Sequence, residues 1–415
     1  MIKLKEVEDA IGKLYLIEDK GVIRTLLATI IANRISRNTK AVWMLFIAGS
    51  SGGKTMLTNL LSNVGKWIIP VDTLTTNTFA SGLNRDKSTS LLDEANNGII
   101  IFKDLTVLIN LNRESLVEIM GQLRGIHDGE FVKRTGNEVA FKWEGKVGIV
   151  AAGTIAVQRK LRQFSPDGER FLNYRIKLPD PDDVTKRVLL NESRETFAQE
   201  EEDLFNMVSE FINDIIDNTL PMSSREIPQC IQDEITEISN FATLARSPVE
   251  MNFKNPKLVM FVHDREGPAR VAKMLVNLAD ALMIISNEEV LSRFNSKILY
   301  KIALDSIPAE RKMVLELLAK YRNATTSSIG IRLNLPTETV IAWLSQLNAL
   351  SIVKKTKPGS SFVWELKKKY KDLMVDYIGI DKIDEELDEI EEKEGLFNAY
   401  TQGDEIDEAP EITGF

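Results

Sequence analysis

Residues 41–56 read AVWMLFIAGSSGGKTM, and the reading of this stretch decides the fold. Val42 to Ile47 form an apolar run suited to a buried parallel strand. The small residues Ala48, Gly49, Ser50, Ser51, Gly52 and Gly53 let successive backbone N–H groups curl around a triphosphate. Lys54 then reaches the β- and γ-phosphates, and Thr55 offers its hydroxyl to Mg²⁺. The motif opens on Ala48 where glycine is usual, a tolerated variant. A plain structural turn is the competing reading. The strand before the turn and the helical pattern Met56–Asn63 after it favour the phosphate loop, and with it ATP and Mg²⁺ as ligands.

Such a site needs a carboxylate at the end of a second buried strand to hold the metal's shell. Asp104, which closes GIIIFKD about fifty residues downstream, meets that need. The acid that normally follows it is missing, because position 105 is Leu105. Glu94 and Asp93 in LLDEANN, and Asp128 in HDGEF, are the candidates for polarising the attacking water. Acids at helix ends are otherwise simply solvated.

Outward from the loop, strands and helices alternate. Lys66–Val71, Gly98–Phe102, Val147–Ala152 and Phe171–Leu178 read as strands, with Ser88–Ala95 and Glu114–Arg124 as helices. Strands separated by helices after a phosphate loop predict an α/β fold with a parallel sheet, its ligand at the strand ends. The expected organisation is N-terminal helices over 1–39, a nucleotide-binding core over 40–182, a separate helical lid over 183–304, a winged helix over 305–371 and an acidic tail over 372–415.

The winged helix rests on three short helices, Pro308–Tyr321, Thr326–Leu333 and Thr337–Leu347, followed by the hairpin Ser351–Leu366. Thr337–Leu347 falls in the recognition position and has no Lys or Arg, so sequence-specific readout is not expected. Lys354, Lys355 and Lys357 on the wing are suited to phosphate contact, and a protein-docking module is the alternative. A second hairpin, Glu130–Val132 with Val139–Trp143, surrounds Lys133-Arg134-Thr135-Gly136-Asn137. Its basic tip suits a DNA backbone, since phosphates are the feature every sequence shares. The loop Thr75–Gly82 contains Phe79 and opens a different class, a polypeptide translocase.

Composition narrows the classes. The chain has 415 residues, a net charge of -9, one cysteine (Cys230) and two histidines, which leave no internal disulfide and no structural zinc site to expect. Residues 376–415 hold 15 Asp or Glu against two Lys, a net of -13, so residues 1–375 carry +4. A mildly basic body with an acidic tail keeps nucleic acid in play. The tail reads as mostly disordered and solubilising, with partner binding or DNA mimicry as alternatives. The first residues lack a signal-peptide core and no apolar run is long enough to span a bilayer, so a cytoplasmic location without membrane contact is expected.

The order AGSSGGKT, IIIFKDLT, LRGIHDGEFVKRTG, KWEGKVGIVAAGT and GERFLNYRIKLPD resembles the AAA+ ATPases of phages and mobile elements. More specifically it is similar to the MCM-like replicative helicases and initiators of staphylococcal cassette and pathogenicity-island elements, over roughly residues 10–370. The resemblance implies a P-loop AAA+ core with a helical lid and a winged helix. It implies a sensor role for Thr154, an arginine finger at Arg170, with Arg162 and Arg175 as rivals, and a second sensor at Arg270. It also implies that the hairpin carrying Lys133 and Arg134 faces the pore of a ring of subunits. The expected activity is an ATP-dependent DNA helicase or replication initiator, a homo-oligomer, expected as a hexamer, acting on single-stranded or forked DNA. The acidic tail would serve a replication partner. An ATP-switched loader or DNA-bound regulator, and less so a protein unfoldase, are the other readings.

Overall fold

Strand β1 (Trp43–Ile47) is buried at every position, as its unbroken apolar run requires of a central parallel strand. The computed structural model describes residues 2–35, 40–49, 52–79, 90–134, 140–163, 169–219, 227–255, 257–321, 323–358 and 362–378. Two helices, α1 (Leu4–Leu14) and α2 (Lys20–Arg34), precede β1. After it come α3 (Lys54–Asn59), β2 (Ile68–Val71), α4 (Leu91–Glu94) and β3 (Ile99–Phe102). A 3₁₀ turn over Leu105–Asn110 leads into α5 (Arg113–Asp128), the pair β4 (Glu130–Arg134) and β5 (Ala140–Glu144), then β6 (Gly148–Gly153), α6 (Ile155–Gln163) and β7 (Leu172–Arg175).

Five of these strands form one parallel sheet in the order β2-β3-β6-β1-β7. Its side chains alternate between two cores, as period-two geometry demands. Met44 and Phe46 of β1 join Ile99, Ile101 and Val150 on one face, while Trp43, Leu45, Ile100 and Ile149 join the other. The second face is closed by α5 and α6, through Leu116, Ile119, Leu123, Val157 and Leu161. The chain is therefore α/β with helices on both faces of the sheet.

The first face corrects the expectation of a separate lid. Helices α7 (Pro181–Glu192), α8 (Phe197–Asp214), α9 (Gln229–Arg246), α10 (Ala269–Ile285) and α11 (Arg293–Asp305) follow the sheet. Met274, Leu275 and Leu278 of α10 are fully buried in the same core as Met44 and Phe46, so residues 183–304 share the core of the sheet. The reason is α2: Leu26, Leu27, Ile30 and Ile31 are at most 1% exposed, a helix too apolar to be covered by the sheet alone. Asn33, buried at its end, donates to the Val42 carbonyl and accepts from the Val42 N–H, both at 2.9 Å, which locks α2 to the start of β1.

The free edge of β7 is capped by side chains. The N–H groups of Asn173 and Arg175 donate to Ser306 Oγ at 3.3 Å and to Asp305 Oδ2 at 2.7 Å, and Lys301 Nζ donates to the Arg175 carbonyl at 2.8 Å. Fully buried Asp305 is compensated by Lys312 at 2.6 Å and Lys301 at 3.0 Å. Burial opposes its ionisation, yet these lysines and Arg175 hold its carboxyl below the ordinary range. An edge covered in this way offers no template for another strand.

Between α9 and α10 a two-stranded ribbon, β8 (Val249–Met251) with β9 (Val259–Val262), replaces the all-helical pattern expected there. Contacts divide the chain into two units, one of residues 1–250 with 260–312, the other of 251–259 with 313 onward. Helix α12 (Ala309–Lys320) carries the chain from the first to the second. The second unit adds β10 (Ala324–Thr325), α13 (Thr326–Leu333), α14 (Thr337–Ala349), β11 (Val353–Thr356), β12 (Val363–Leu366) and α15 (Lys368–Ile378). Its antiparallel sheet has the order β10-β12-β11. Trp364 is buried at the centre of that sheet, its indole N–H donating to Thr326 Oγ1 at 2.8 Å. The three helices and the hairpin fall where the sequence predicts; β10 and α15 are additions.

Candidate functional site

The turn after β1 is shaped by what glycine alone allows. Gly53 sits at φ +75°, in the left-handed region, and caps α3. A Cβ on Gly52 would lie 2.7 Å from the Ala48 Cβ and 3.1 Å from Leu178 Cδ2, so the chain closes on itself there. Lys54 bends back over the loop, its Nζ donating to the Ala48 and Gly49 carbonyls at 3.1 and 2.5 Å. Thr55 points outward and is exposed. Ser50 and Ser51 lie outside the described residues.

Asp104 stands at the same end of the sheet, one residue beyond the Phe102–Lys103 step that ends β3. It caps the following 3₁₀ turn, its Oδ1 accepting from the Thr106 N–H at 2.8 Å and from the Thr106 hydroxyl. Burial lowers the Lys54 pKa, and the charge of Asp104 works against that shift, so fold and register have brought the two residues into electrostatic contact. Strand β6 runs between β1 and β3, and half-buried Thr154 follows its last residue, Gly153. Thr154 thus emerges between the loop and Asp104.

A hydroxyl at Thr55 and one carboxylate at Asp104 match what Mg²⁺ asks of a protein when phosphates and water complete its octahedron. Among the described residues no group of three or more His, Cys, Asp or Glu could hold a metal alone.

A cavity of about 620 Å³ opens beside Gly52 and Gly53. Sequence reading missed it. Leu14 and Ile17 from the end of α1, Val22, Leu178, Val188 on α7 and Phe197 supply apolar walls. Asn191 Nδ2 on α7 donates to the Leu14 carbonyl at 2.7 Å and Arg187 to the Lys13 carbonyl at 2.7 Å, which pins the two walls together. Tyr15 donates its hydroxyl to Glu201, and burial with that carboxylate raises its pKa far above the ordinary phenol value. The size and apolar lining suit a flat heterocycle next to a phosphate site. The only signals in sequence were short apolar runs, LYLI and IKLP, which look like any loop.

Several expected residues lie at the other end of the sheet. Strand β7 starts at Leu172 opposite Met44, so Arg170 is level with the beginning of β1. At about 3.3 Å per residue, the five residues from Trp43 to Ala48 separate the two ends by about 16 Å. The Arg170 guanidinium is 10% exposed, 3.9 Å from Asp128. Arg270 Nη1 lies 3.5 Å from the Glu169 carbonyl and 3.4 Å from Glu266. Burial first, then Arg270 and Arg124, lower the Arg170 pKa, with Asp128 opposing. Arg270 is thus removed from the glycine turn of its own chain, against the expectation that it senses a ligand there directly.

The three acids proposed to polarise water are corrected likewise. Glu94 and Asp93 end a helix leading into the start of β3, and Asp93 is occupied in a reciprocal cap with Ser90. The Asp128 carbonyl accepts from Lys40, at the start of β1, at 3.1 Å. None of them is on the loop's side of the sheet: Asp93 and Glu94 precede β3, Asp128 lies beside Lys40 and Arg170 at the amino end, and the loop follows a strand.

In the hairpin β4–β5, Lys133 is a strut and not an exposed finger. Its Nζ donates to the Thr76 carbonyl at 2.9 Å and Asn77 Oδ1 at 3.1 Å, and pairs with Glu118 at 3.3 Å. Arg134 lies at the end of β4, and its side chain is outside the described residues. Phe79 is fully buried, which removes the exposed aromatic on which the polypeptide-translocase reading rested. On the β11–β12 hairpin Lys354, Lys355 and Lys357 are all exposed. Lys355 lies 3.7 Å from the Phe362 ring centroid and Lys357 5.5 Å from it. Among the described residues no helix is long and apolar enough to cross a membrane. Compared with known proteins, the chain matches no family model and no curated protein.

Proposed function

We propose that the chain is an ATP-hydrolysing, DNA-acting machine of the AAA+ kind, an ATP-dependent helicase or replication initiator that works as a ring of subunits. The observation that carries this reading is the juxtaposition of a glycine-shaped turn, Lys54, Asp104 and an apolar cavity at the carboxyl end of a parallel sheet. Ala48, Gly49 and Gly52 to Lys54 hold the phosphates, the cavity takes the adenine, and Thr55 with Asp104 holds Mg²⁺, which supplies charge neutralisation on the phosphates when bound. Thr154, emerging between loop and carboxylate, orients the attacking water. Arg170 and Arg270, about 16 Å from this end, serve a nucleotide held by a neighbouring copy.

The second unit supports a winged helix: helix, short strand, two helices and a two-stranded hairpin, with the strand order β10-β12-β11. Its wing lysines provide sequence-independent phosphate contacts. A second reading, an ATP-switched loader or DNA-bound regulator, is favoured by one specific observation: Leu105 is buried where an acid is expected, and the alternative acids lie at the far end of the sheet. The deciding experiment is ATP-driven separation of a forked DNA duplex, with Lys54→Ala as control. Unwinding by the parent chain alone is the expected result. Hydrolysis without unwinding selects the switch, and full turnover by Lys54→Ala removes the site assignment.

A further inference from the structure

The tip of the β8–β9 ribbon carries a feature that no motif announced. Asn252 Oδ1 accepts from the N–H groups of Lys254 and Asn255 at 2.9 and 3.0 Å, and the Asn252 N–H donates to the Leu258 carbonyl at 2.8 Å. These bonds do not use Phe253, whose ring is fully exposed. Lys254 beside it is exposed as well. Lys257 Nζ donates to Glu338 Oε1 at 2.7 Å, which fixes the tip to the first turn of α14.

A single exposed aromatic is unremarkable by itself. Its company gives it meaning. The second unit, taken as residues 251–259 and 313–378, holds twelve Lys or Arg against five Asp or Glu, a net of +7 in a chain that is acidic overall. An exposed ring beside an exposed ammonium, on a body of that charge, matches the pairing of stacking surface and phosphate counter-charge that unpaired nucleic acid requires. The wing repeats the combination, with exposed Phe362 flanked by Lys355 and Lys357. Duplex DNA hides its base faces, so a ring of this kind selects single strands or the opened end of a duplex.

We infer that the ribbon tip is a single-stranded nucleic-acid site, in which Phe253 stacks on an unpaired base and Lys254 holds the adjoining phosphate. The inference rests on the DNA-acting reading above and names where the strand is held. It requires no sequence preference, because every base has a face to stack.

The test uses the full chain and labelled oligonucleotides: a mixed-sequence single strand, the same length of abasic strand, and a blunt duplex. Phe253→Ala is expected to weaken single-strand binding about tenfold or more, leave duplex binding within about twofold, and leave the salt dependence unchanged. Lys254→Ala is expected to weaken the single and abasic strands alike and to reduce the salt slope by about one contact. Phe253→Trp provides a readout that mere structure would not move: stacking quenches the added indole with the base-bearing strand and not with the abasic one. If Phe253→Ala binds the single strand as tightly as the parent while DNA still stimulates ATP turnover, this inference falls and the broader reading stands. An altered oligomeric state with unchanged DNA affinity overturns it too, and assigns the tip to contact between copies. Failure of the parent chain to bind any of the three DNAs overturns both readings.

Discussion

At the carboxyl end of the five-stranded sheet the chain places glycines, one lysine bent over loop carbonyls and one carboxylate capping an exposed turn. At the amino end it places Arg124, Arg170 and Arg270 near one another, with Glu169 and Glu266 buried or nearly so and His127 against Trp43. One end is open and exposed; the other is more closed, its arginines set among Asp128, Glu169 and Glu266. Under the proposed function, the two ends would form one site only when a second copy brings the arginines of its amino end to the glycine turn of the first.

The largest expected effect breaks or secures that comparison directly. Arg170→Ala and Lys54→Ala should each reduce ATP turnover about a thousandfold. Mixed together, the two inactive chains should regain measurable turnover, because some interfaces then pair an intact loop with an intact arginine. Turnover by the Arg170→Ala chain alone at the parent rate would return the amino end to a structural role. No recovery on mixing, with assembly demonstrated, would place both residues in one chain's site.

A second, smaller effect sharpens the carboxyl end. Leu178 borders both Gly52 and the apolar cavity. Leu178→Ala removes about three carbons of packing, worth about 1.5 kcal/mol against a bound base, and should weaken nucleotide binding about tenfold by calorimetry. The change should affect ATP and ADP equally, since the two share the base that the cavity would hold. An ATP-selective loss would mean that the cavity does not hold the base.

The amino end has its own signature in pH. His127 is buried, and burial lowers its pKa despite Asp128 beside it. A histidine whose folded value lies below its unfolded value binds more protons when unfolded, so it costs stability as pH falls through the unfolded value of about 6.5. Thermal stability should therefore fall from pH 7 to pH 5.5, and His127→Gln should flatten that part of the profile. A profile unchanged by the substitution would show that His127 titrates alike in both states.

The sequence made the carboxyl end legible because its demands are local. A left-handed glycine, a lysine following it and an apolar strand before it are consecutive, and β1, β3 and β6 announce themselves by unbroken apolar runs. The parallel order, which brings Asp104 and Thr154 to the loop, follows from strands alternating with helices. What stayed hidden depends on long-range register. Asp93, Glu94 and Asp128 look like neighbours of Asp104 in the chain, but a residue before a strand and a residue after it are a strand's length apart. Lys133 looks like a free cation until the Thr76 carbonyl is found beside it. The lid looked separate because helical periodicity says which face is apolar, and nothing of what covers it. The β8–β9 ribbon was hidden because MNFKNPKLVMFV has no polar alternation to mark its two strands.

The smallest expected effect is the most discriminating test of that lesson. Glu94 is exposed and ends a short helix at the amino end, so Glu94→Gln should change ATP turnover by less than about twofold and leave unfolding within about 0.5 kcal/mol. Loss of a water-polarising acid would instead cost at least about a hundredfold. The two outcomes are far enough apart that a single turnover measurement separates them. A large loss in Glu94→Gln that is rescued by mixing with Lys54→Ala chains would mean that the amino end supplies the acid, as well as the arginines, to the neighbouring copy. A large loss without rescue would require α4 to move about the length of a strand toward its own loop, and the register of β2, β3 and β6 at that end, fixed by the Asn97 N–H donating to the Lys146 carbonyl at 2.7 Å and the Ile99 N–H to the Trp67 carbonyl at 2.9 Å, opposes such a movement.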